Sequence, residues 1–447
     1  MNPLTEELDR ELIANHRSDA GMYERLADQQ RRLGLLHDDR PICPFLRPYF
    51  LSESRYRAIC HAARHLSTAF EKLTGTVLES PDLIDELAIS EKEYRWARLE
   101  PGYRCVSVNS RLDSFLRPDG FSFLEYNAEN PAGIGDQSSL ETLFTAVPEV
   151  VGFLEGNAHY YPKPQRKLLD ALDATYREFG GRKAHPSIAI VDWKDVSTRA
   201  EFDILREFFE SLGYPTRICD PTELEFDGDA LRHGDFEIDI FFKRVIIHEF
   251  LARFDESHPV FKAIENGAVC LANSFRSKIP HKKSSFAVLS NERYRRLFTS
   301  VELKAIDLHV PWTRRVRDER TTFAGEEVEL IDLIHDERAR FVLKPNDDYG
   351  GKGIALGWEC SESEWDDAIE MAIREPYVVQ ERVEVEKTAI PFFFEGDEVR
   401  YEELLVDFDP FLFRGEVEGG MVRLSSNSLV NVSQGGGETA LVIVADS

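Results

Sequence analysis

The apolar positions of this chain change period several times, and each change predicts a different kind of element. Over residues 5–35 and 52–73 they recur at helical spacing, as with Tyr56, Ile59, Cys60, Ala63 and Leu66, which is the stripe an amphipathic helix needs. Ser52-Glu53-Ser54 supplies a cap for the second of these helices. Over 94–126 the pattern turns to strands, and a further helical stretch covers 138–153. The texture changes again at His185. Ser187-Ile188-Ala189-Ile190-Val191-Asp192 is a short, continuously apolar run of the kind found in a parallel strand buried on both faces. Residues 198–212 then read as an amphipathic helix with Phe202, Leu205, Phe208, Phe209 and Leu212 inward, stopped by Gly213. Strands at 215–219 and 238–242 complete a β-α-β unit, so a small α/β domain is expected over roughly 185–275. Beyond it, 276–447 alternates helices, strands and two Gly-rich loops, with no internal repeat.

One hairpin in the strand region carries candidate chemistry. Pro118-Asp119-Gly120 suits a three-residue loop in which Gly120 takes a positive φ. That loop pairs Arg117 with Phe121, and counting outward sets Asp113 across from Glu125, with Arg111 and Asn127 on the same face. Asp113, Glu125 and Asn127 are hard oxygen ligands. They suit Mg²⁺, which commonly takes one or two carboxylates together with nucleotide phosphates. Facing like charges also destabilise a strand pair unless a cation neutralises them. A solvated hairpin with acidic edges gives the same pattern. The Pro/Gly-rich turn at 127–136 leaves the strand as a loop over a site would.

A phosphate signal lies far downstream. Phe341-Val342-Leu343-Lys344-Pro345 is a strand ending in a lysine, followed by Asn346-Asp347-Asp348-Tyr349-Gly350-Gly351-Lys352-Gly353. Glycines let backbone N–H groups approach phosphate oxygens, and lysine adds a point charge. No Ser or Thr follows Lys352 and no GxGxxG opens a helix, so this is neither a P-loop nor a Rossmann fingerprint. A Gly-rich turn with an exposed lysine is the plain alternative. Tyr377-Val378-Val379-Gln380-Glu381-Arg382-Val383 is an apolar strand running into Gln-Glu, able to read an adenine edge while Val379 and Val383 pack on its faces. It also reads as an ordinary core strand. The second Gly-rich loop, Asn431 to Gly437 with Gly435 and Gly436, follows the polar strand around Arg423. Adjacent glycines are costly to order and suit a mobile flap over a reacting phosphate, or a flexible approach to the C-terminus.

Composition narrows the class. With 447 residues, 42% hydrophobic and 30% charged, the chain has the length of two or three domains and an ordinary globular balance. No apolar run is long enough to span a bilayer, and the acidic start lacks a signal peptide's basic and apolar parts. The six cysteines are scattered without a CxxC pair, which fits a reducing cytoplasm rather than a disulfide framework. A net charge of −27 argues against a nucleic-acid partner and against an anionic membrane. It leaves ATP open, because phosphates need only a local positive site.

Taken together, these blocks resemble the circularly permuted ATP-grasp family, whose members include relatives of glutathionylspermidine synthetase. The usual order runs from lysines through a Gly-rich lid and a Gln/Glu hinge to an Arg strand with an Asn…Gly-Gly loop, and ends in Asp and Glu-x-Asn metal strands. Here Lys344, Gly350, Gly351, Lys352 and Gly353 resemble the lid. Gln380, Glu381 and Val383 resemble the hinge, and Arg423, Asn431, Gly435 and Gly436 the last phosphate elements. The metal strands appear near the N-terminus instead, as Asp113 and Glu125-Tyr126-Asn127. The fold implied is α/β with α+β elements. Its parts are a helical N-terminal region (1–75), the permuted metal-binding part (76–160), a pre-ATP-grasp domain (161–275) and the nucleotide-binding lobes (276–447). One departure stands out. The family's lysine some thirty-five residues before the lid lysine is replaced by Thr313-Arg314-Arg315, so Arg315 is the expected substitute, with different geometry.

The resemblance implies ATP and Mg²⁺ as cofactors and a carboxylic acid and an amine as small-molecule substrates. The acid is activated as an acyl phosphate, and the amine then attacks to form a C–N bond. Arg111 and Arg423 are the candidate catalytic cations, holding the γ-phosphate or the developing oxyanion. A plain salt bridge of Arg111 to Asp113 or Glu125 is the alternative reading. Arg244, at a strand end of the small domain, is a candidate grip for a substrate carboxylate. A phosphotransferase on the same fold, or a non-catalytic nucleotide-binding protein, uses the same residues.

Overall fold

The computed structural model describes residues 5–16, 21–37, 39–348, 350–394, 396–428 and 436–446. Its central feature is a sheet assembled from both halves of the sequence. The strands are β1 (Asn109–Arg117), β2 (Gly120–Asn127), β3 (Glu398–Phe413), β4 (Glu416–Ser425) and β5 (Gly437–Thr439). They lie side by side in the order β5-β4-β3-β1-β2, and Lys387–Phe394 pairs with the first half of β3. Successive side chains alternate between faces. Leu112, Leu116, Phe123, Tyr126, Val406, Phe408, Val422 and Leu424 point down into one core with the long helix Glu53–Val77. Each such side chain, fully buried, contributes roughly 1.5–3 kcal/mol. The opposite face carries Arg111, Asp113, Asp407, Asp409 and Arg423, and beside them Phe411 and Met421 pack into a second core with the helix Pro164–Phe179.

The helix beneath the sheet forms as its spacing predicts, with Ser52 accepting a hydrogen bond from the Arg55 N–H as its cap. Other boundaries differ. Residues 5–35 hold two helices, Glu6–His16 and Met22–Leu33. The start of the expected strand region is helical over Glu91–Ala97, because Ser90 and Glu93 form a capping box there. The helix expected over 138–153 is split into Asp136–Phe144 and Pro148–Glu155, where Pro148 starts a new helix.

The α/β unit forms with four parallel strands in the order Cys270–Ala272, Ile240–Lys243, Ile188–Val191, Thr216–Cys219. Gly213 takes φ +87° after the helix Arg199–Ser211, as a helix stop of this kind requires. Just past the edge strand, Asn273 fastens this unit to the hairpin. Its Oδ1 accepts from the Val108 and Asn109 N–H groups, and its Nδ2 donates to the carbonyls of Asn109, Ala128 and Glu129 at 2.7, 2.8 and 2.9 Å. A second, antiparallel sheet has the order Thr313–Arg315, Tyr377–Glu381, Phe341–Pro345, Ala355–Leu356. Helix Glu362–Arg374 covers its back through Trp365, Ile369 and Ala372.

Leu441–Val444 is a buried central strand, parallel to Tyr49–Ser52 and antiparallel to His159–Tyr160. The Gly-rich stretch before it is therefore no flexible tail at its far end. Gly436 is buried and Gly437 opens β5, where an added Cβ would lie 2.4 Å from Pro44 Cδ and 2.7 Å from Phe45 Cε2. Close packing, not mobility, explains glycine at 437. Asn431 and Gly435 lie outside the described residues. No helix among the described residues is long and apolar enough to cross a membrane.

Candidate active site

The hairpin brings Asp113 opposite Glu125 and Arg111 opposite Asn127, as the sequence predicts, but by another route. Arg117 pairs with Gly120, so the turn has two residues, Pro118 and Asp119. Gly120 is not in a positive-φ conformation. Farther along, Ser114 pairs with Phe123 while Asp113 pairs with Glu125, which leaves Leu124 as a bulge. The short turn and the extra residue offset each other, and the register at the carboxylates is restored.

The charges on this face are held in a tight network. Asp113 accepts from Arg111 Nε and Nη2, both at 2.9 Å, from Asn127 Nδ2 at 2.8 Å and from Arg423 Nη2 at 3.2 Å. Burial opposes its ionisation, yet Arg111 and Arg423 hold its pKa down at about 2. Guanidinium therefore supplies part of the positive charge that the facing carboxylates need. Arg423 also reaches Asp407 at 2.5 Å and Asp409 at 2.7 Å. Burial and the neighbouring carboxylates push Asp409 well above the usual range. Glu125 is the more open carboxylate, with Lys283 Nζ at 3.4 Å.

Facing this network across a cavity of about 820 Å³ is the second sheet. The cavity is lined by Asp113, Glu125 and Asn127 on one side and by Lys344, Gly350, Gly351 and Gln380 on the other. Lys344 is 8% exposed and donates to Gln380 Oε1 at 2.7 Å. Burial, with Lys283 nearby, lowers its pKa to about 8 although Glu125 works the other way. Gln380 also donates to Thr313 Oγ1 at 3.0 Å, so its amide is spent on neighbours. Glu381 and Val383 line the cavity, and the Glu381 carboxylate pairs with Arg340 at 3.1 Å. Val379 does not reach the cavity. It alternates to the back of the sheet and joins Leu343 and Trp365 in the core, while Val342, Ile354 and Leu356 give the cavity its apolar wall.

Lys352 and Gly353 are not among the lining residues. At Gly353, φ is +68° and a Cβ would crowd Pro345 and Tyr377, so its role is in the turn itself. Gly436 lines neither this cavity nor its neighbour. Arg315 shares a sheet face with Lys344 but turns away, donating to the carbonyls of Asp85 and Glu86. Those carbonyls lie at the C-terminal end of the helix Pro81–Glu86, where the partial negative charge of a helix end attracts the edge-strand guanidinium, and Arg317 donates to the Asp85 carbonyl as well. The expectation that Arg315 replaces the missing lysine is corrected here.

The lysines that do approach come from an unexpected segment. Lys283 donates to the Asp348 carbonyl at 2.7 Å, its N–H meets the Asn346 carbonyl, and it faces Glu125. Lys278 bridges Glu129, at 2.8 Å, and Asp347, which Lys282 also reaches at 2.7 Å. Burial works against the Glu129 charge, but Lys278, His281 and Lys243 bring its pKa to about 2. Glu129, His281 and Asp347 offer ligand atoms within 4.8 Å of one another, a metal-like set. The Lys278 ammonium already neutralises that set. The helical spacing of Lys278 and Lys282 was the available sequence signal.

Of Asp113, Glu125 and Asn127, Asp113 is already paired with Arg111 and Arg423, and Glu125 is the open carboxylate for a metal ion. All three are oxygen donors on one sheet face, in the cavity that holds Lys344, and this hard donor set suits Mg²⁺.

A second cavity, of about 900 Å³, adjoins the first, and both are lined by Arg111, Asn127, Gly350 and Arg423. Arg244 lines this one and is 2% exposed, with Nη1 on the Pro131 carbonyl and Nη2 3.4 Å from Glu201.

No protein-family model matches the chain, and no curated protein matches it in sequence. Solved structures do. A glutathione synthetase-like effector from Globodera pallida, in its apo form, aligns with TM-score 0.59 and 14% identity over 94% of this chain and 96% of that one. The two proteins share a fold. A candidate gamma-glutamylcysteine synthetase from Methylobacillus flagellatus aligns with TM-score 0.42 and 9% identity over 84% of this chain and 87% of that one, too weakly to argue from.

Proposed function

We propose that the chain is an ATP-dependent carboxylate–amine ligase on a circularly permuted ATP-grasp fold, working through an acyl phosphate. The observation that carries this reading is a single cavity between two sheets. A buried lysine and a Gly-rich turn line one wall, and paired carboxylates with a carboxamide line the other. The sheet that joins 109–127 to 398–439 supports the permutation, because sequence-distant strands complete one surface. On this reading 161–275 is the pre-grasp domain, and the fold shared with a glutathione synthetase-like protein agrees with a ligase.

Lys344 and the amides of Gly350 and Gly351 bind the ATP phosphates, and Val342, Ile354 and Leu356 pack against the base. Asp113, Glu125 and Asn127 hold Mg²⁺, which when bound neutralises charge on the transferring phosphoryl group. Substrate carboxylate oxygen bonds to the γ-phosphorus as the bond to the ADP oxygen breaks. The amine lone pair then forms the C–N bond, and phosphate leaves with the electrons of the acyl C–O bond and takes up the proton that the nitrogen loses. Arg111 and Arg423, at the junction of the two cavities, face the oxyanion of that step.

The test begins with the melting temperature in MgATP and in ATP plus EDTA. A ligand at about a hundred times its Kd stabilises the folded state by roughly 2.7 kcal/mol, so a Mg²⁺-dependent rise is expected. No rise in millimolar MgATP would sink the reading. ADP release requiring both an acid and an amine supports a ligase, whereas release with a single acceptor points to a phosphotransferase.

A further inference from the structure

The second cavity is lined by more carboxylates than cations. Asp136, Glu201 and Glu438 line it together with Arg244, Arg111 and Arg423. Arg111 is committed to Asp113, Arg423 to Asp113, Asp407 and Asp409, Arg244 to Glu201 and the Pro131 carbonyl, and Lys194 to Glu223, while Arg253, also in the lining, stacks on the Trp193 ring. Glu201 is further held by the Gly135 N–H at 3.2 Å. The carboxylates of Asp136 and Glu438 have no hydrogen-bond or ion-pair partner among the described residues, although Glu438 is only 4% exposed. Glu438 lies on β5 directly across from Arg423 on β4, so its side chain shares the Arg423 face and borders the cavity. Arg244 Nε is likewise buried without a partner, with the guanidinium over the Phe202 and Phe242 rings. Burying carboxylates without partners is costly unless a cation arrives.

We propose that this cavity is the acceptor pocket and takes a small organic cation, its ammonium seated between Asp136 and Glu438. The word acceptor rests on the ligase reading; the preference for a cation does not. The shared lining of Arg111, Asn127, Gly350 and Arg423 joins this pocket to the phosphate cavity, where an amine has to meet an activated carboxylate. Burial and the facing carboxylates raise Asp136 to about 8 and Glu438 well above its ordinary range, as expected of groups waiting for a counter-ion.

Three probes of equal carbon length separate charge from shape: butane-1,4-diamine, butane-1,4-diol and succinate. Each is titrated calorimetrically against the full chain without nucleotide, and MgATP binding is measured separately on the same preparation. The diamine is expected to bind best, and the Asp136→Asn/Glu438→Gln variant to lose about tenfold or more of that affinity while keeping its affinity for MgATP. Both substitutions relieve carboxylate repulsion, so the variant folds at least as well as the parent. Preference for succinate or the diol, no diamine binding, or diamine binding unchanged in the variant would each overturn the proposal. A protein that binds the diamine but not MgATP would keep the cation pocket and remove the ligase reading.

Discussion

The two cavities share a wall and have opposite electrostatic defects. In the first, burial drives Lys344 down to about 8, and its one close partner among the described residues is a neutral amide. In the second, burial and Glu201 drive Asp136 up to about 8, with no partner on its carboxylate among the described residues. A protein interior tolerates a buried charge when it is paired. On the proposed readings, the first cavity favours an anion and the second a cation. Between them stands the Arg111–Asp113–Arg423–Asp409 cluster, in which partners are plentiful. That cluster is built for rigidity, and the cavities on either side are built for exchange.

The largest effect should come from removing a metal ligand on the anion side. Glu125→Gln should lower Mg²⁺-dependent ATP turnover on the order of a hundredfold or more. Its melting temperature should stay near that of the parent, because the carboxylate's one ion pair among the described residues is a 3.4 Å contact with Lys283. Diamine binding next door should be untouched. Activity that survives the change would remove Glu125 from the metal site. Diamine affinity falling in parallel would show that the two cavities are one.

How much of this contrast could be read from the chain depends on the span of the signal. The carboxylates of the hairpin are twelve positions apart across a tight turn, and strand alternation put them face to face despite a misjudged turn and an unseen bulge. Lys344 and Gln380 meet because adjacent strands bring them to one face. Arg315 also reached that face, but an exposed helix end drew its side chain off, and no sequence period reports such a capture. Lys278, Lys282 and Lys283 lie some sixty residues before the loop they brace and read as ordinary helix polarity. The second cavity is least legible. Asp136, Glu201, Arg244 and Glu438 come from four separate elements that only the tertiary fold assembles. Of these Arg244 alone was singled out, and for a carboxylate.

A smaller effect is expected from the lysine of the first cavity. Lys344→Ala should weaken ATP binding by roughly ten- to a hundredfold, the scale of one charge-assisted contact in a sheltered site. The loss frees the Gln380 carbonyl oxygen and leaves the core of that sheet intact, so stability should change little. Isothermal titration with ATP and with the diamine on the same variant sharpens the contrast. ATP affinity should fall and diamine affinity should hold. Unchanged ATP affinity would remove the phosphate role of Lys344 and leave the first cavity without its defining charge.

The finest test is the direction in which each affinity moves with pH. Lys344 has a free-state pKa of about 8, and a bound phosphate raises it. Below pH 8 the lysine is already charged and ATP affinity is flat. Above pH 8 binding must take up a proton, so affinity falls, by at most about tenfold per pH unit. Asp136 also titrates at about 8 when free, but a bound ammonium lowers it. Below pH 8 cation binding must expel a proton from Asp136, so diamine affinity rises with pH, by up to about tenfold per unit for each carboxylate that titrates. Glu201, Glu438 and Arg244 face the same carboxylate, and the raised Glu438 adds to the rise in the same sense. Titrations from pH 6.5 to 9 should therefore give an ATP affinity that falls above pH 8 and a diamine affinity that rises with pH. Two affinities that fall together with rising pH would mean that the second cavity, like the first, receives an anion.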